Sequence, residues 1–395
     1  MNTVPRPWLL TLAALSALAT LSTNILLPSL PVIAQSLAVD EAQLTAGVLG
    51  LFLAVFALAQ LIVGPLSDRM GRRPVVLGGL ALFVAGSLVG AFAGTLPLLL
   101  ASRVLQALGA AAASVLARAA ARDRFEGTLL AALLGRIMVV MAAAPGFSPL
   151  LGGLVQAAWG WRALFAVLVL AGLALALAYG RIVGETLPTE RRRHQPVGAL
   201  ARGYGKLLAD ARFLRPALAT AAILGALFAF FGTAPLVLAG SFGFSALQVG
   251  LFFAATVFVV FAAGQTAPRW TARWGAPTVL RVGAALAVVG GLAMLISPAA
   301  SLIGFAVSGC VFLFGMGLVS PTGTALALTP FASQAGQASA LLGFLQMAAA
   351  AMLTTTAATL PGARVDALAL VLAGGGLLAL LSGTAKPAVT AVRAS

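Results

Sequence analysis

The chain has 395 residues, of which 61% are hydrophobic and 8% are charged. Because a soluble domain carries about 25% charged residues, this composition excludes a soluble globular protein, a disordered chain and a conventional nucleic-acid-binding protein. The 24 basic and 9 acidic side chains give a formal net charge of +15 at pH 7. In a soluble protein that charge would indicate polyanion binding, but in a membrane protein it first reports the orientation of the helices.

Apolar runs follow one another along the whole chain, each long enough for a spanning helix of about 20 residues. The twelve predicted spans are 8–33, 42–63, 75–95, 98–121, 129–155, 161–182, 216–239, 246–268, 277–297, 300–323, 336–360 and 365–383. The first span resembles a signal peptide in its basic start. Because it stays apolar as far as Leu27, we expect an uncleaved helix.

A polar stretch at 183–214 divides the spans into two groups of six. The sequence therefore predicts an all-α membrane protein with twelve transmembrane helices in two pseudo-symmetric six-helix bundles. We expect an N-terminal bundle at 1–182, a cytoplasmic linker with a surface helix at 183–214, and a C-terminal bundle at 215–395. The linker contains His194, the single histidine of the chain.

Basic residues indicate the orientation. With the N-terminus in the cytoplasm, most of the 24 basic side chains fall in cytoplasmic loops. Arg162 and Arg364 fall outside, and Arg103, Arg118 and Arg136 lie within spans. Since cytoplasmic loops of membrane proteins are enriched in Lys and Arg, we expect both termini in the cytoplasm. Topology then accounts for most of the net charge, and no nucleic-acid partner is expected.

The two halves share a weak repeat at the loops after spans 2 and 8. Four residues of the first loop recur in the second with the same spacing: Arg69, Gly71, Val75 and Gly79 match Arg273, Gly275, Val279 and Gly283. Such internal duplication is typical of secondary transporters, and nothing about a channel or a membrane-embedded enzyme requires it.

The most specific string in the chain lies between spans 2 and 3 and runs from Gly64 to Arg73, G-P-L-S-D-R-M-G-R-R. Gly64 permits a close helix contact, and Gly71 permits a tight turn. Asp68 is a carboxylate at a membrane boundary and needs a partner. The candidates are the N-terminus of span 11 near Gly336, whose dipole favours an anion, and the arginines Arg69, Arg72, Arg73 and Arg122.

This string resembles the signature of the major facilitator superfamily. Further strings resemble the Bcr/CflA drug-resistance transporters within it: R-V-L-Q-A-L-G from Arg103, A-P-G-F-S-P-L-L-G-G from Ala144, G-W-R-A-L-F from Gly160 and A-G-Q-A-S-A-L-L-G-F-L-Q from Ala335. The resemblance covers nearly the whole chain. It implies drug:proton antiport by alternating access across a bacterial inner (cytoplasmic) membrane.

The resemblance also implies roles for two groups of residues. The first is a conformational latch on the cytoplasmic side, formed by Gly64, Asp68, Arg69, Gly71, Arg72 and Arg73. The second is a hinge in helix 5, formed by Pro145, Gly146, Pro149, Gly152 and Gly153. The alternatives are a basic loop that only sets topology and ordinary helix packing, since Gly and Pro are common in membrane helices.

Proton coupling is the part of the family's pattern from which this sequence departs. An arginine inside a span usually faces the bundle or a wet cavity, and the resemblance links Arg103 to coupling; the alternative is snorkelling to the surface. However, Asn24 stands where the family has an acid near the end of helix 1. The remaining coupling candidates are Arg118, Arg136 and Asp123, a carboxylate whose pKa those two arginines or Arg122 would set.

All nine acids lie at or near helix ends or in loops. A cavity without a carboxylate does not suit a strongly cationic substrate, so we expect small, mostly apolar, neutral or anionic compounds such as antibiotics. Candidate cavity residues are Asn24, Gln60, Gln106, Phe231, Gln265 and Gln346. The alternative function is export of a native metabolite without conventional proton coupling; an anionic metabolite could be bound by Arg103 and Arg136.

An enzyme is not expected, because the sequence has no metal-ligand cluster and no nucleophile constellation. ATP is not the expected energy source, because there is no GxxxxGK[ST] string. We therefore expect no metal and no cofactor, with the proton gradient as energy source. The expected partners are a small-molecule substrate and the lipid bilayer, and the expected oligomeric state is a monomer.

Overall fold

The computed structural model describes residues 4–192, 197–297 and 301–384, and this part of the chain is helical with short connections. Eleven of its helices are long and apolar enough to span a membrane. We label the long helices in chain order: α1 Arg6–Leu37, α2 Glu41–Met70, α3 Arg72–Ala91, α4 Leu96–Arg124, α5 Gly127–Trp159, α6 Arg162–Val183, α7 Ala211–Phe242, α8 Ala246–Trp274, α9 Ala276–Ile296, α10 Leu302–Leu328, α11 Ala335–Thr359 and α12 Arg364–Thr384.

Each predicted span corresponds to one of these helices, and the all-helical membrane fold is confirmed. The helix outside the eleven is α5, which has 33 residues and a single charged side chain, Arg136. Several helices extend beyond their predicted apolar cores. The α1 helix is interrupted by a tight turn at Leu27–Ser29, where Pro28 cannot donate a backbone hydrogen bond.

The linker contains a helix at Val197–Ala209. Its residues Tyr204 and Leu207 pack against Leu341 and Leu342 of α11, so the helix lies on the C-terminal half. The following helix, α7, begins at Ala211, earlier than the predicted bundle limit at residue 215. It starts there because the Asp210 carboxylate caps it, accepting the backbone N–H of Arg212 at 2.9 Å. His194 lies outside the described residues.

Equivalent close helix crossings occur in the two halves. In the first half, a Cβ on Gly79 of α3 would stand 2.5 Å from the Cβ of Ala112 in α4. In the second half, a Cβ on Gly283 of α9 would stand 2.7 Å from the carbonyl oxygen of Gly315 in α10. Small residues allow membrane helices to approach this closely. Gly79 and Gly283 are matched positions of the sequence repeat, so the duplicated sequence builds a duplicated crossing.

The two halves contact each other through α2 with α11 and through α5 with α8. Gly50 of α2 faces Thr355 of α11, and Gly153 of α5 lies against the backbone of Ala246 in α8. These contacts lie toward the start of α2, the start of α8 and the end of α11. We call this side of the molecule the closed end. A polar contact lies deeper, where the Gln60 side chain donates to the Gly343 carbonyl at 3.3 Å.

Candidate functional site

The turn between α2 and α3 depends on Gly71. The residue has φ 99° and ψ 159°, and its N–H donates to the Ser67 carbonyl at 2.9 Å. Residues that carry a side chain rarely adopt this positive φ. A Cβ would also stand 2.5 Å from a carboxylate oxygen of Glu185. The backbone conformation therefore requires glycine here, and a Cβ would in addition displace the Glu185 carboxylate.

Arg72, the first residue of α3, is the centre of a charged network. Its side chain is largely buried and forms ion pairs with two carboxylates, Asp68 of α2 at 2.6 Å and Asp123 of α4 at 3.0 Å. Its guanidinium also donates to the Ser67 hydroxyl at 2.5 Å. Of the partners expected for Asp68, the structure selects Arg72. The network fixes the ends of α2, α3 and α4 to one another.

Glu185 completes this network, although no sequence motif marked it as a site residue. The carboxylate follows α6 and accepts the backbone N–H of Arg72 at 2.9 Å and that of Arg73 at 3.2 Å. These are the exposed N–H groups at the start of α3, where the helix dipole favours an anion. The neighbouring Thr186 hydroxyl donates to Asp123 at 2.9 Å.

The environment of Glu185 favours its ionised form. Partial burial raises the pKa of the carboxylate, but backbone hydrogen bonds outweigh burial and hold the pKa below its usual range. The donors are the N–H groups of Leu187, Arg72, Arg73 and Thr186. A fixed negative charge at this position keeps the end of α6 attached to the start of α3.

The side chains of Arg69 and Arg73 and the residue Gly64, also predicted for the latch, take no part in this network. Arg69 and Arg73 are exposed, although the backbone N–H of Arg73 binds Glu185. The close helix contact that Gly64 would permit is not made in this conformation, since a Cβ there would meet nothing within 4 Å. The expected alternative partner of Asp68 was the N-terminus of α11 near Gly336. Gly336 is exposed, and a Cβ there would also meet nothing within 4 Å. In this conformation the network is confined to the N-terminal half.

Asp123 does not have the neighbours we expected. Its described ion pair is with Arg72 and not with Arg118, Arg122 or Arg136. Because an α-helix turns by about 100° per residue, Arg118 and Arg122 lie on other faces of α4 than Asp123 does. Arg118 is partly buried, and Arg136 is exposed on the first half of α5. A role for these residues in proton coupling stays a prediction.

Arg103 is fully buried in the N-terminal half and therefore does not snorkel to the surface. Its guanidinium donates to the Val48 carbonyl at 3.1 Å, to the Ser22 carbonyl and hydroxyl at 3.2 Å, and to the Gln106 side chain at 2.6 Å. The group also lies over the Phe52 ring, 4.3 Å from its centroid. Oxygen dipoles and an aromatic face, and no carboxylate, surround this charge among the described residues.

The predicted cavity residues have different environments. Gln106 donates to the Ser87 hydroxyl at 2.8 Å and so belongs to the Arg103 cluster. Asn24 is buried, and its amide nitrogen has no hydrogen-bond partner within the described part of the chain. Gln60 binds α11 at Gly343, three residues before Gln346, which is partly buried on the same helix face.

Two cavity predictions lie elsewhere. Phe231 is buried in an aromatic cluster, with its ring centroid 5.4 Å from that of Phe253. The rings of Phe228 and Phe230 also contact the ring of Phe231. Gln265 is exposed on the second half of α8. The structure thus joins Gln106 to Arg103 and places Gln60 and Gln346 at one helix interface, while Phe231 and Gln265 lie apart from both groups.

The predicted hinge is a continuous part of α5, which runs through Pro145 and Pro149 without a break. Its glycines serve close packing. A Cβ on Gly146 would collide with Val257 of α8, and one on Gly152 would collide with the carbonyl oxygen of Ile25, just after the first segment of α1. This stretch therefore contacts both its own half and the opposite half. Its function as a hinge stays a prediction.

Comparison with known proteins identifies the family. The profile of the Major Facilitator Superfamily matches residues 12–354. The chain belongs to this superfamily. It is similar to Multidrug resistance protein D of Escherichia coli (strain K12), with 30% identity over 378 residues and 94% of each chain covered. It is also similar to a chloramphenicol resistance protein of Pseudomonas aeruginosa, with 34% identity over 328 residues, 80% of this chain and 74% of that protein.

A solved structure shares the fold. The human organic anion transporter MFSD10 (TETRAN) has a TM-score of 0.72 and 20% sequence identity, with 96% of this chain and 98% of that chain covered. The relatives confirm the resemblance to the Bcr/CflA type of drug-resistance transporter. The protein is thus a multi-pass membrane transporter for small molecules and not an enzyme.

The variant Glu185→Gln tests the charge at the start of α3. We expect it to lower the free energy of unfolding at pH 7 by about 1 kcal/mol, because a carboxylate at a helix N-terminus is worth roughly that much. Since the pKa of Glu185 is depressed in the folded protein, its stabilisation is present above about pH 4.3 and is lost as the pH falls further. The stabilities of the variant and the wild type should therefore become equal at acidic pH.

Thermal unfolding in detergent at a series of pH values measures this difference. Glu190→Gln is the matched control, because Glu190 is an exposed acid in the same linker. A Glu185→Gln protein as stable as the wild type at pH 7 would show that the N–H groups of α3 do not depend on this carboxylate.

The variant Gly152→Ala tests the packing of α5 on α1. Its new methyl group would meet the backbone at Ile25, which cannot move as a flexible side chain does, so we expect a loss of about 1–3 kcal/mol in stability. Gly135→Ala is the control on the same helix, where a Cβ meets nothing within 4 Å. Alanine there should be neutral or stabilising, because it favours the helix by about 1 kcal/mol over glycine. Equal unfolding midpoints for both variants would contradict the packing argument.

Proposed function

We propose that this protein is a secondary active transporter that exports small, mostly apolar, neutral or anionic compounds, antibiotics among them. The observation that carries the proposal is the similarity to Multidrug resistance protein D over 94% of both chains. Export proceeds by alternating access, in which the two halves close first one end of a central cavity and then the other. The contacts between the halves at the closed end correspond to one such state.

The distribution of acids supports this substrate class. All nine carboxylates lie within the described residues, and each is in a connection or within a few residues of a helix end. Asp68 and Asp123 are already paired with Arg72. A cationic drug would find no carboxylate halfway along a helix. Neutral and anionic molecules do not need one, because dipoles and arginines can bind them.

The proposed orientation places the protein in the bacterial inner (cytoplasmic) membrane, with both termini in the cytoplasm. The basic ends of α2, α4 and α8 then face the cytoplasm, as the enrichment of Lys and Arg in cytoplasmic loops requires. The closed end faces the periplasm. We further propose that the transporter acts as a monomer, without a cofactor, and draws its energy from the proton gradient.

A second candidate function is export of a native anionic metabolite without conventional proton coupling. The observation that favours it is the exposed Arg136, deep in the first half of α5, together with the partly buried Arg118 of α4. Arginines at membrane depth usually face a cavity or an ion pathway. An anion entering from the cytoplasm would pass these charges.

Drug export is tested by the accumulation of labelled chloramphenicol in efflux-deficient bacteria that express the protein. We expect accumulation to fall several-fold below that of cells with an empty vector, and a protonophore to restore it. Export that persists with the protonophore would contradict proton coupling. If the inserted protein leaves accumulation unchanged, chloramphenicol is not a substrate, and a search of exported metabolites, anions first, would test the second candidate.

The coupling residue is tested by Asp123→Asn in proteoliposomes. We expect this variant to lose transport driven by an imposed proton gradient but to keep drug exchange without a gradient, because only net transport requires a proton to be released in each cycle. Arg72→Gln is the matched control. It removes the same ion pair and leaves the carboxylate, so it should slow both modes and keep the response to the gradient. Equal loss of both modes in both variants would show that Asp123 has a structural role.

A further inference from the structure

An ion pair joins the two halves at the closed end. Glu41, in the first turn of α2, lies 2.6 Å from Arg364, the first residue of α12. The two side chains are 26% and 47% exposed, so water reaches the pair from one side. Arg364 also lies over the end of α7, where its Nη1 is 3.7 Å from the Cβ position of Gly240. This contact therefore connects a helix of the first half to two helices of the second.

The local structure leaves Glu41 free for this contact. The adjacent Asp40 caps α2 by accepting the backbone N–H groups of Ala42 and Gln43 at 2.9 and 3.0 Å. Asp40 therefore satisfies the start of the helix, and Glu41 can turn its carboxylate toward α12. By contrast, the ion pairs of Arg72 stay within the N-terminal half. A movement that separates the halves leaves those pairs intact and breaks the Glu41–Arg364 pair.

Beneath the ion pair, the interface between the halves contains hydroxyl groups without partners. A Cβ on Gly232 of α7 would stand 3.4 Å from the methyl group of Thr45 in α2 and 3.2 Å from that of Thr354 in α11. Both threonines are 1% exposed, and within the described part of the chain neither hydroxyl has a hydrogen-bond partner. Burying a hydroxyl group without a hydrogen-bond partner costs free energy, and this cost is removed when water reaches the group. The hydroxyl groups thus favour opening, and the ion pair opposes it.

We propose that Glu41 and Arg364 form the outer gate of the transport cycle, and that Thr45 and Thr354 are the groups hydrated when this gate opens. The inference rests on the proposed function for its orientation and for alternating access. An exposed ion pair adds little to total stability. Its effect on the transport cycle is proportionally larger than its effect on stability. When two conformations have similar free energies, a contact that only one of them makes shifts their relative populations.

The gate is tested by the access of an external reagent to a buried thiol. Ser29 is fully buried in the turn that interrupts α1, and this turn contacts α7 and α8 of the other half. The reporter Ser29→Cys is placed in a Cys310→Ala background, so that it is the single thiol. Right-side-out spheroplasts are treated with a membrane-impermeant thiol reagent. The rate of labelling measures how often the closed end opens.

We expect Glu41→Gln and Arg364→Gln each to raise the labelling rate two- to fivefold, which corresponds to about 0.4–1 kcal/mol. The charge exchange Glu41→Arg with Arg364→Glu should return the rate toward that of the wild type. Thr354→Val should lower the rate, because valine removes the unpaired hydroxyl and keeps a similar shape. A purely structural role would not produce changes of opposite sign at neighbouring positions.

Two controls remove charge from the same side of the molecule without touching the gate. Arg162→Gln replaces an arginine that binds the Ala93 carbonyl within the first half, and Asp366→Asn replaces an exposed acid of α12. Neither variant should change the labelling rate.

The gate is refuted if Glu41→Gln and Arg364→Gln label at the wild-type rate, or if the charge exchange does not return the labelling rate toward that of the wild type. Drug accumulation in cells expressing the wild type is measured in parallel, so that failure of drug export is recognised separately from failure of the gate.

Discussion

A buried guanidinium at the end of a membrane helix is stable only where anions and acceptors surround it, and the end of the N-terminal half opposite the closed end is arranged around Arg72. Its side chain pairs with carboxylates from α2 and α4, and its backbone N–H is bound by the carboxylate of Glu185 after α6. The ends of four helices therefore meet at one residue. The sharp turn at Gly71 makes this possible, because it carries the chain from α2 into α3 without a side chain in the way.

The two ends of the molecule are held by different kinds of contact. The Arg72 network works within one half, so it keeps that half rigid whether or not the halves are together. At the closed end, the contacts run between halves: the glycine-lined packing of α5 on α8, the α2–α11 interface and the ion pair of Glu41 with Arg364. Alternating access requires this division, since rigid halves can rock only if the contacts between them can be broken at small cost.

The sequence predicted what depends on local pattern. Hydropathy located the twelve spans, and the matched residues of the two loops, Gly79 and Gly283 among them, indicated an internal duplication. It also placed Arg72 among the candidate partners of Asp68, because both lie in one string. It could not predict contacts between distant residues, such as Glu185 with the start of α3 or Glu41 with Arg364, since charge alone does not select a partner. Gly64 makes no close helix contact in this conformation, because glycine permits such a contact without requiring it.

The surroundings of Arg103 bear on the way the protein is made. An arginine inside a membrane helix raises the free energy of insertion, by about 2.5–3.5 kcal/mol at the helix centre, and α4 has to insert with Arg103 in its third turn. The oxygen atoms that bind it come from Ser22 of α1 and Val48 of α2, apart from the α4 residue Gln106. Both helices emerge from the ribosome before α4. The acceptors are therefore in the bilayer when the arginine arrives, and the order of synthesis matches the order in which its charge must be compensated.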